Sequence, residues 1–121
     1  MTDFIDANIF LKRWSDEKVE KFLNTLDRDK HKTSVLVLAE VSHKLEQSQV
    51  KNNFEYIRDV MGKIEVLEVT RSDLFQALKN QIPIGVNDKI HIAVMKRNNI
   101  NTIISFDKDF DKDKTIRRIE L

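Results

Sequence analysis

The chain has 121 residues, with 21 Lys and Arg against 20 Asp and Glu, a net charge of +1, two Gly, one Pro and no Cys. That length predicts one domain, residues 1–121, with a real core, and the missing cysteines exclude disulfides, a thiolate zinc site and a cysteine nucleophile. No apolar run approaches the roughly 18 residues of a membrane span, and the near-neutral balance excludes a globally basic nucleic-acid binder while leaving room for a local basic patch. The polar, acidic opening MTDFIDAN predicts no signal peptide, and a cytoplasmic setting follows as the expectation.

Thr2–Asp6 (TDFID) predicts a short strand, and Ala7–Trp14 a short helix. Asp16 to Arg28 is amphipathic, with Val19, Phe22, Leu23 and Leu26 at helical spacing. Thr33 and Ser34 close a very short strand or cap the next helix. That helix runs from Val35 to Ser48 with Val35, Leu38, Val41 and Leu45 as its inner ridge. Another spans Val50–Met61 with Val50, Phe54, Ile57 and Met61 inward. Ile64–Val69 (IEVLEV) predicts a strand. Thr70 then caps a helix reaching Gln81, with Asp73 completing a capping box. Pro83 and Gly85 mark a loop. Asn87–Asn98 is a helix, Thr102–Phe106 (TIISF) a buried strand, and Ile116–Leu121 the last strand. Strands separated by helices predict a three-layer α/β/α fold, a twisted, mainly parallel sheet with helices on both faces.

In such sheets ligands bind beyond the carboxyl ends of the strands. Asp6 and Asp107 stand there. A buried carboxylate is costly unless paired or bound to a cation, although capping a helix accounts for most aspartates that follow strands. Glu40, inside SVLVLAEVSHKL, either faces solvent beside Lys44 at i+4 or turns towards the site. Asp88 lies in the first turn of its helix, where a carboxylate favours the macrodipole. The closing run SFDKDFDKDKTIRRIEL places Asp109, Asp111, Asp113 and Glu120 at calcium-loop spacing, but Lys114 occupies the position of the glycine turn, which removes that reading. Asp111 and Asp113 then belong to a solvated turn, and Glu120 to the last strand. A phospho-accepting receiver is a weak rival: only Asp6 follows the first strand, Thr70 follows IEVLEV, and the sole proline is Pro83.

Together, FIDANIF, SVLVLAEVSHKL and NDKIHIAVMKRNNINTIISFDKDF make the chain resemble the PIN-domain family, in particular its VapC-like toxin branch. The matching fragments are Asp6-x-Asn8, Ala39-Glu40 and Ser105-x-Asp107-x-Asp109-Phe110; GVND before Asp88 matches more loosely. The resemblance implies a ribonuclease dependent on Mg²⁺ or Mn²⁺, with Asp6, Glu40, Asp88 and Asp107 as catalytic and metal-binding residues. It also implies an RNA substrate, a small antitoxin partner and a homodimer. The alternatives are a PIN-like binding module without catalysis and an RNA-processing nuclease outside toxin–antitoxin systems.

Around these acids, two roles are open to Asn8, orienting Asp6 or capping the first helix. Ser105 offers a hydroxyl to a neighbouring acid, and Asp109 adds negative potential or lies solvated. Lys12, Arg13, Lys44, Lys89 and Arg97 are candidates for phosphate contacts. Trp14 is expected to anchor the first helices, and His31, His43 and His91 to be structural or surface residues.

Overall fold

The structure, a computed structural model, describes residues 1–121. Five strands form one sheet: β1 (Asp3–Ile5), β2 (His31–Ser34), β3 (Glu65–Leu67), β4 (Thr102–Ile104) and β5 (Arg117–Ile119). Their spatial order is β3-β2-β1-β4-β5, and every pairing is parallel. The helices are α1 (Ala7–Leu11), α2 (Glu17–Leu23), α3 (Val35–Gln47), α4 (Asn53–Lys63), α5 (Arg71–Lys79) and α6 (Val86–Arg97), with a 3₁₀ turn at Lys108–Lys112.

The chain first steps outward from β1 to β3, then crosses back to β4 beside β1. Right-handed crossovers therefore put α1–α4 on one face and α5–α6 on the other. The central pair explains its own position: Phe4, Ile5, Ile103 and Ile104 are buried on both sides, the pattern of a parallel strand covered on both faces. Pairing runs Asp3 to Thr102, Phe4 to Ile103 and Ile5 to Ile104. The order in which strands are added thus reverses between β1 and β4, which makes their carboxyl ends the switch point.

Polar side chains set where the short strands stop. Thr33 Oγ1 donates to the Ile5 carbonyl at 2.8 Å. Ser34 ends β2 and caps α3 by accepting from the Val37 amide at 3.2 Å, so the two sequence readings of this pair are both realised. The capping box of α5 forms as expected, with Thr70 and Asp73 exchanging bonds of 2.8 and 3.2 Å.

Several expected inward faces are turned. Val35 is exposed, and Val37 joins Leu38, Val41 and Leu45 in the core. Residues 48–52 form a turn in which Gln49 and Asn52 take φ of 56° and 64°. The following helix therefore starts at Asn53, not Val50, and its inner face is Tyr56, Ile57 and Val60, while Phe54 and Met61 face out. Trp14 is also half exposed; it leans edge-on against Tyr56, centroids 5.1 Å apart, and is not a buried anchor. Asp113 is the opposite case. It is buried, accepting from the Thr115 amide and hydroxyl at 2.9 and 2.6 Å and lying 3.4 Å from Lys96. Asp111 stays at the surface, paired with Arg118, and Glu120 lies one residue past β5.

Arg97 spends its guanidinium on the fold. Its Nε and Nη2 donate to the buried Asp73 carboxylate at 2.9 and 3.0 Å, and Nη2 also donates to the Glu68 carbonyl at 2.8 Å. Asp73→Ala removes the acceptor for the Thr70 amide, half of the α5 capping box, and leaves Arg97 without its anion. The expected loss is about 2–4 kcal/mol, read as a lower urea midpoint at unchanged m-value.

Candidate active site

Asp6 follows β1 and serves as the N-cap of α1. Its Oδ1 accepts from the Ala7 amide at 2.8 Å. Its Oδ2 accepts from Ser105 Oγ at 2.6 Å and from Asn8 Nδ2 at 3.3 Å. Asn8 also donates to Ser105 Oγ at 3.2 Å, while its Oδ1 accepts from the Phe106 amide at 3.2 Å. Of the two roles open to Asn8, the geometry is therefore that of a clamp between the ends of β1 and β4; the cap of α1 is Asp6 itself.

The segment after β4 is shaped by Ser105 and Asp107. The Asp107 amide donates to Ser105 Oγ at 3.0 Å, and Asp107 Oδ1 accepts from the Asp109 amide at 2.9 Å, capping the 3₁₀ turn. This turn brings Asp109 round to the same side as Asp107. Carboxylate oxygens of Asp88, Asp107 and Asp109 lie within 4.8 Å of one another, all partly buried. Asp109 is thus part of the cluster, its outer oxygen 3.1 Å from Lys112 Nζ. Lys112 in turn donates to the Pro83 carbonyl at 3.3 Å, tying the turn to the loop that leads into α6.

Glu40 does not rely on Lys44. Its Oε1 lies 2.8 Å from His91 Nε2, and its Oε2 accepts from Asn87 Nδ2 at 3.3 Å. Both partners come from α6, across from α3. His91 is fully buried, with its ring centroid 5.9 Å from that of Phe4. Asn87 is absent from the expected site and His91 was expected only as a structural or surface residue, although Asn87 and His91 fall on one helical face at i and i+4 with Asp88 beside them.

The charges of these groups are felt mutually. Burial and the negative charges of Asp6 and Asp107 push Asp88 up to about 7, with Glu40 adding to the rise and His91 opposing it. Burial likewise raises Asp6, and the hydrogen bonds from Ser105 and Ala7 only partly offset it. Burial also acts to raise Glu40, but there the hydrogen bond and charge of His91, then Asn87 and Lys44, outweigh it and hold the carboxyl below its usual range. Hard oxygen donors crowded until one retains its proton near neutrality are a donor set suited to a divalent cation such as Mg²⁺ or Mn²⁺.

Of the expected cationic residues, Lys12 sits over the Phe106 ring, Nζ 4.0 Å from the centroid and next to Asp107 in the chain, and Lys89 follows Asp88. Arg13 lies against the rings of Trp14 and Tyr56. Arg97 is removed from this set by its pairing with Asp73.

The signature of the PIN domain matches residues 4–114. The chain belongs to the PIN-domain family. Two curated relatives, a VapC ribonuclease of Mycobacterium bovis and the ribonuclease VapC13 of Mycobacterium tuberculosis, are each 31% identical over 94 residues, 72% of this chain and 70% of theirs. Among solved structures, VapBC2 from Rickettsia felis, bound to a promoter DNA fragment, superposes with a TM-score of 0.77 at 16% identity. That match covers 100% of this chain and 99% of the other. VapC20 of Mycobacterium tuberculosis, a toxin that cleaves the sarcin-ricin loop, gives 0.73 at 21% identity over 91% and 93% of the two chains. At these identities the structural matches establish the PIN fold.

The raised Asp88 carries a stability consequence. An acid whose folded pKa lies above its ordinary 3.8 favours folding only while protonated, so stability falls as pH rises from about 4 through about 7. Fully buried, such a shift is worth about 4 kcal/mol; the open side of the cleft screens it, leaving about 1–2 kcal/mol. In EDTA at pH 8, Asp88→Asn is expected to be more stable than the parent by that amount, a gain that shrinks towards pH 4. Urea unfolding at both pH values measures it, and equal gains at the two would contradict this origin.

Proposed function

We propose that the chain is a divalent-metal-dependent endoribonuclease and the toxin half of a toxin–antitoxin pair. One observation carries the reading: four acids drawn from four segments meet at the switch point of a PIN-family chain 31% identical to VapC ribonucleases over 72% of its length. Asp6, Glu40, Asp88 and Asp107 are assigned as the catalytic and metal-binding set. Asp88 and Asp107 would hold the ion with Asp109, and Asp6 completes the negative field from beneath. When bound, Mg²⁺ or Mn²⁺ supplies an acidified water and neutralises charge on the phosphate.

The chain's own groups divide the remaining work. Glu40, ionised and held from α6, orients the attacking water and accepts its proton. Ser105 and Asn8 keep Asp6 and the start of the 3₁₀ turn in register. Lys12, seated over the Phe106 ring beside Asp107 in the chain, offsets repulsion between the cleft and RNA phosphates, while Lys89 lies between α5 and α6 with Gln76, Lys79 and Lys96. No cysteine or serine nucleophile is required.

The partners follow from the same relatives. The Rickettsia felis structure is of a VapBC pair, and one from Klebsiella pneumoniae is a toxin–antitoxin complex. A small antitoxin covering the acidic cleft is proposed here, in the cytoplasm, where RNA is available. A homodimer is proposed too; Leu74, Phe75 and Leu78, exposed along α5, offer apolar area for such a contact.

Incubation of the purified chain with RNA oligonucleotides in Mn²⁺ or Mg²⁺ is expected to give cleavage that EDTA abolishes. Asp6→Asn, Glu40→Gln, Asp88→Asn and Asp107→Asn should each lower the rate by about 100-fold or more. Cleavage that persists in EDTA, or survives Asp6→Asn and Asp107→Asn, would falsify the proposal. RNA or protein binding by a chain that cleaves nothing would point to the binding-module alternative.

A further inference from the structure

Holding His91 buried costs the fold something that packing alone does not explain. Its side chain is 1% exposed, in the floor of the cleft against Phe4. Nε2 meets Glu40 Oε1 at 2.8 Å, yet Nδ1 is buried with no hydrogen-bond partner. Buried polar atoms are almost always paired, and an exception asks for a reason. An imidazole that served only to fill volume would be better replaced by Leu, which has no nitrogen to desolvate.

The geometry also fixes the ring's one useful act. An ionised Glu40 can only accept, so the hydrogen resides on Nε2 and points at Oε1. The second oxygen of Glu40 is taken by Asn87 Nδ2 at 3.3 Å, one helical turn before His91 on α6. Two donors from one rigid helix therefore hold both oxygens of a carboxylate that projects from another helix. Rotation of the Glu40 carboxyl plane is restrained, and its remaining lone pairs are left to face the cleft. Since α6 also carries Asp88, the same helix that presents one acid to the cleft sets the orientation of the other.

We propose that His91 is a positioning residue whose Nε2–H holds the Glu40 carboxylate in the orientation that the reaction uses. The inference rests on the ribonuclease assignment for its consequence in catalysis, but the contact itself can be tested without RNA. The comparison uses His91→Gln, whose amide nitrogen reaches the place of Nε2, and His91→Leu, which keeps bulk without a donor. Glu40→Gln and the double variant Glu40→Gln/His91→Leu complete the set. Partners that orient a metal or catalytic ligand typically contribute about 10–100-fold. His91→Leu is expected to lower kcat for Mn²⁺-dependent RNA cleavage by at least about 10-fold at unchanged KM. His91→Gln should recover most of that loss, and His91→Leu should add nothing further in the Glu40→Gln background.

The second readout uses metal-free protein without RNA. Long-range ¹H–¹⁵N NMR of the imidazole should show a protonated Nε2, and Glu40→Gln should shift the Nε2 resonance. A His91→Leu variant that is folded and as active as the parent overturns the proposal, as does an Nε2 resonance indifferent to Glu40→Gln. If the parent cleaves no RNA, the ribonuclease assignment fails, and the NMR comparison alone decides whether His91 holds Glu40.

Discussion

Electrostatic repulsion between carboxylates is the constraint around which this molecule is arranged. Asp6, Glu40, Asp88 and Asp107 come from four separate segments and lie close enough that the charges of the other three add to the rise of Asp88, and that of Glu40 to the rise of Asp6. Left to themselves such groups would move apart. They are kept together by what lies beneath them: the fully buried β1–β4 pair and the helices packed on both of its faces. Apolar burial is non-directional, so the core supplies the free energy while hydrogen bonds decide where each carboxylate points.

The four acids are not treated alike. Asp6 receives three donors, from Ala7, Ser105 and Asn8. Glu40 receives two, both from α6. Asp107 accepts from the amide of Asp109 and so bends the chain that brings Asp109 alongside. Asp88 is left partly buried among negative neighbours, and both burial and those charges raise its proton affinity. Under the proposed function this inequality divides the work: groups already satisfied by the protein would hold the shape, and the unsatisfied one is where a cation would gain most.

Much of this was legible in the sequence, and the remainder failed for a consistent reason. Element order, the parallel sheet, the strand ends and the Thr70–Asp73 box are local or depend on chain order, so Asp6 and Asp107 were placed correctly at strand ends. The inner faces of the two helices differ from the expected ones: α3 buries Val37 in place of Val35, and α4, entered from the turn at Gln49 and Asn52, is rotated by about a quarter turn, which exchanges Phe54 and Met61 for Tyr56 and Val60. His91, Asn87 and Arg97 were missed or misassigned because their partners, Glu40 and Asp73, are distant in sequence. A histidine or arginine carries no local mark of whether it faces water, a carboxylate or a phosphate.

The run SFDKDFDKDK shows how far tertiary context can separate identical residues. Asp107 and Asp109 enter the cleft. Asp111 is claimed by Arg118, which also donates to the Ser105 carbonyl at 3.1 Å. Asp113 is buried under Thr115 and Lys96. Asp111 therefore serves the site through Arg118, while Asp113 serves the fold. Arg118 and the Ser105–Ile119 backbone bond of 3.0 Å clamp Ser105 to β5, and Ser105 Oγ is the atom shared by Asp6, Asn8 and the Asp107 amide. A strand of three residues at the sheet edge thus matters to the site through one hydroxyl. Loosening β5 would free the Ser105 backbone, and with it the link between the acid after β1 and the acid after β4.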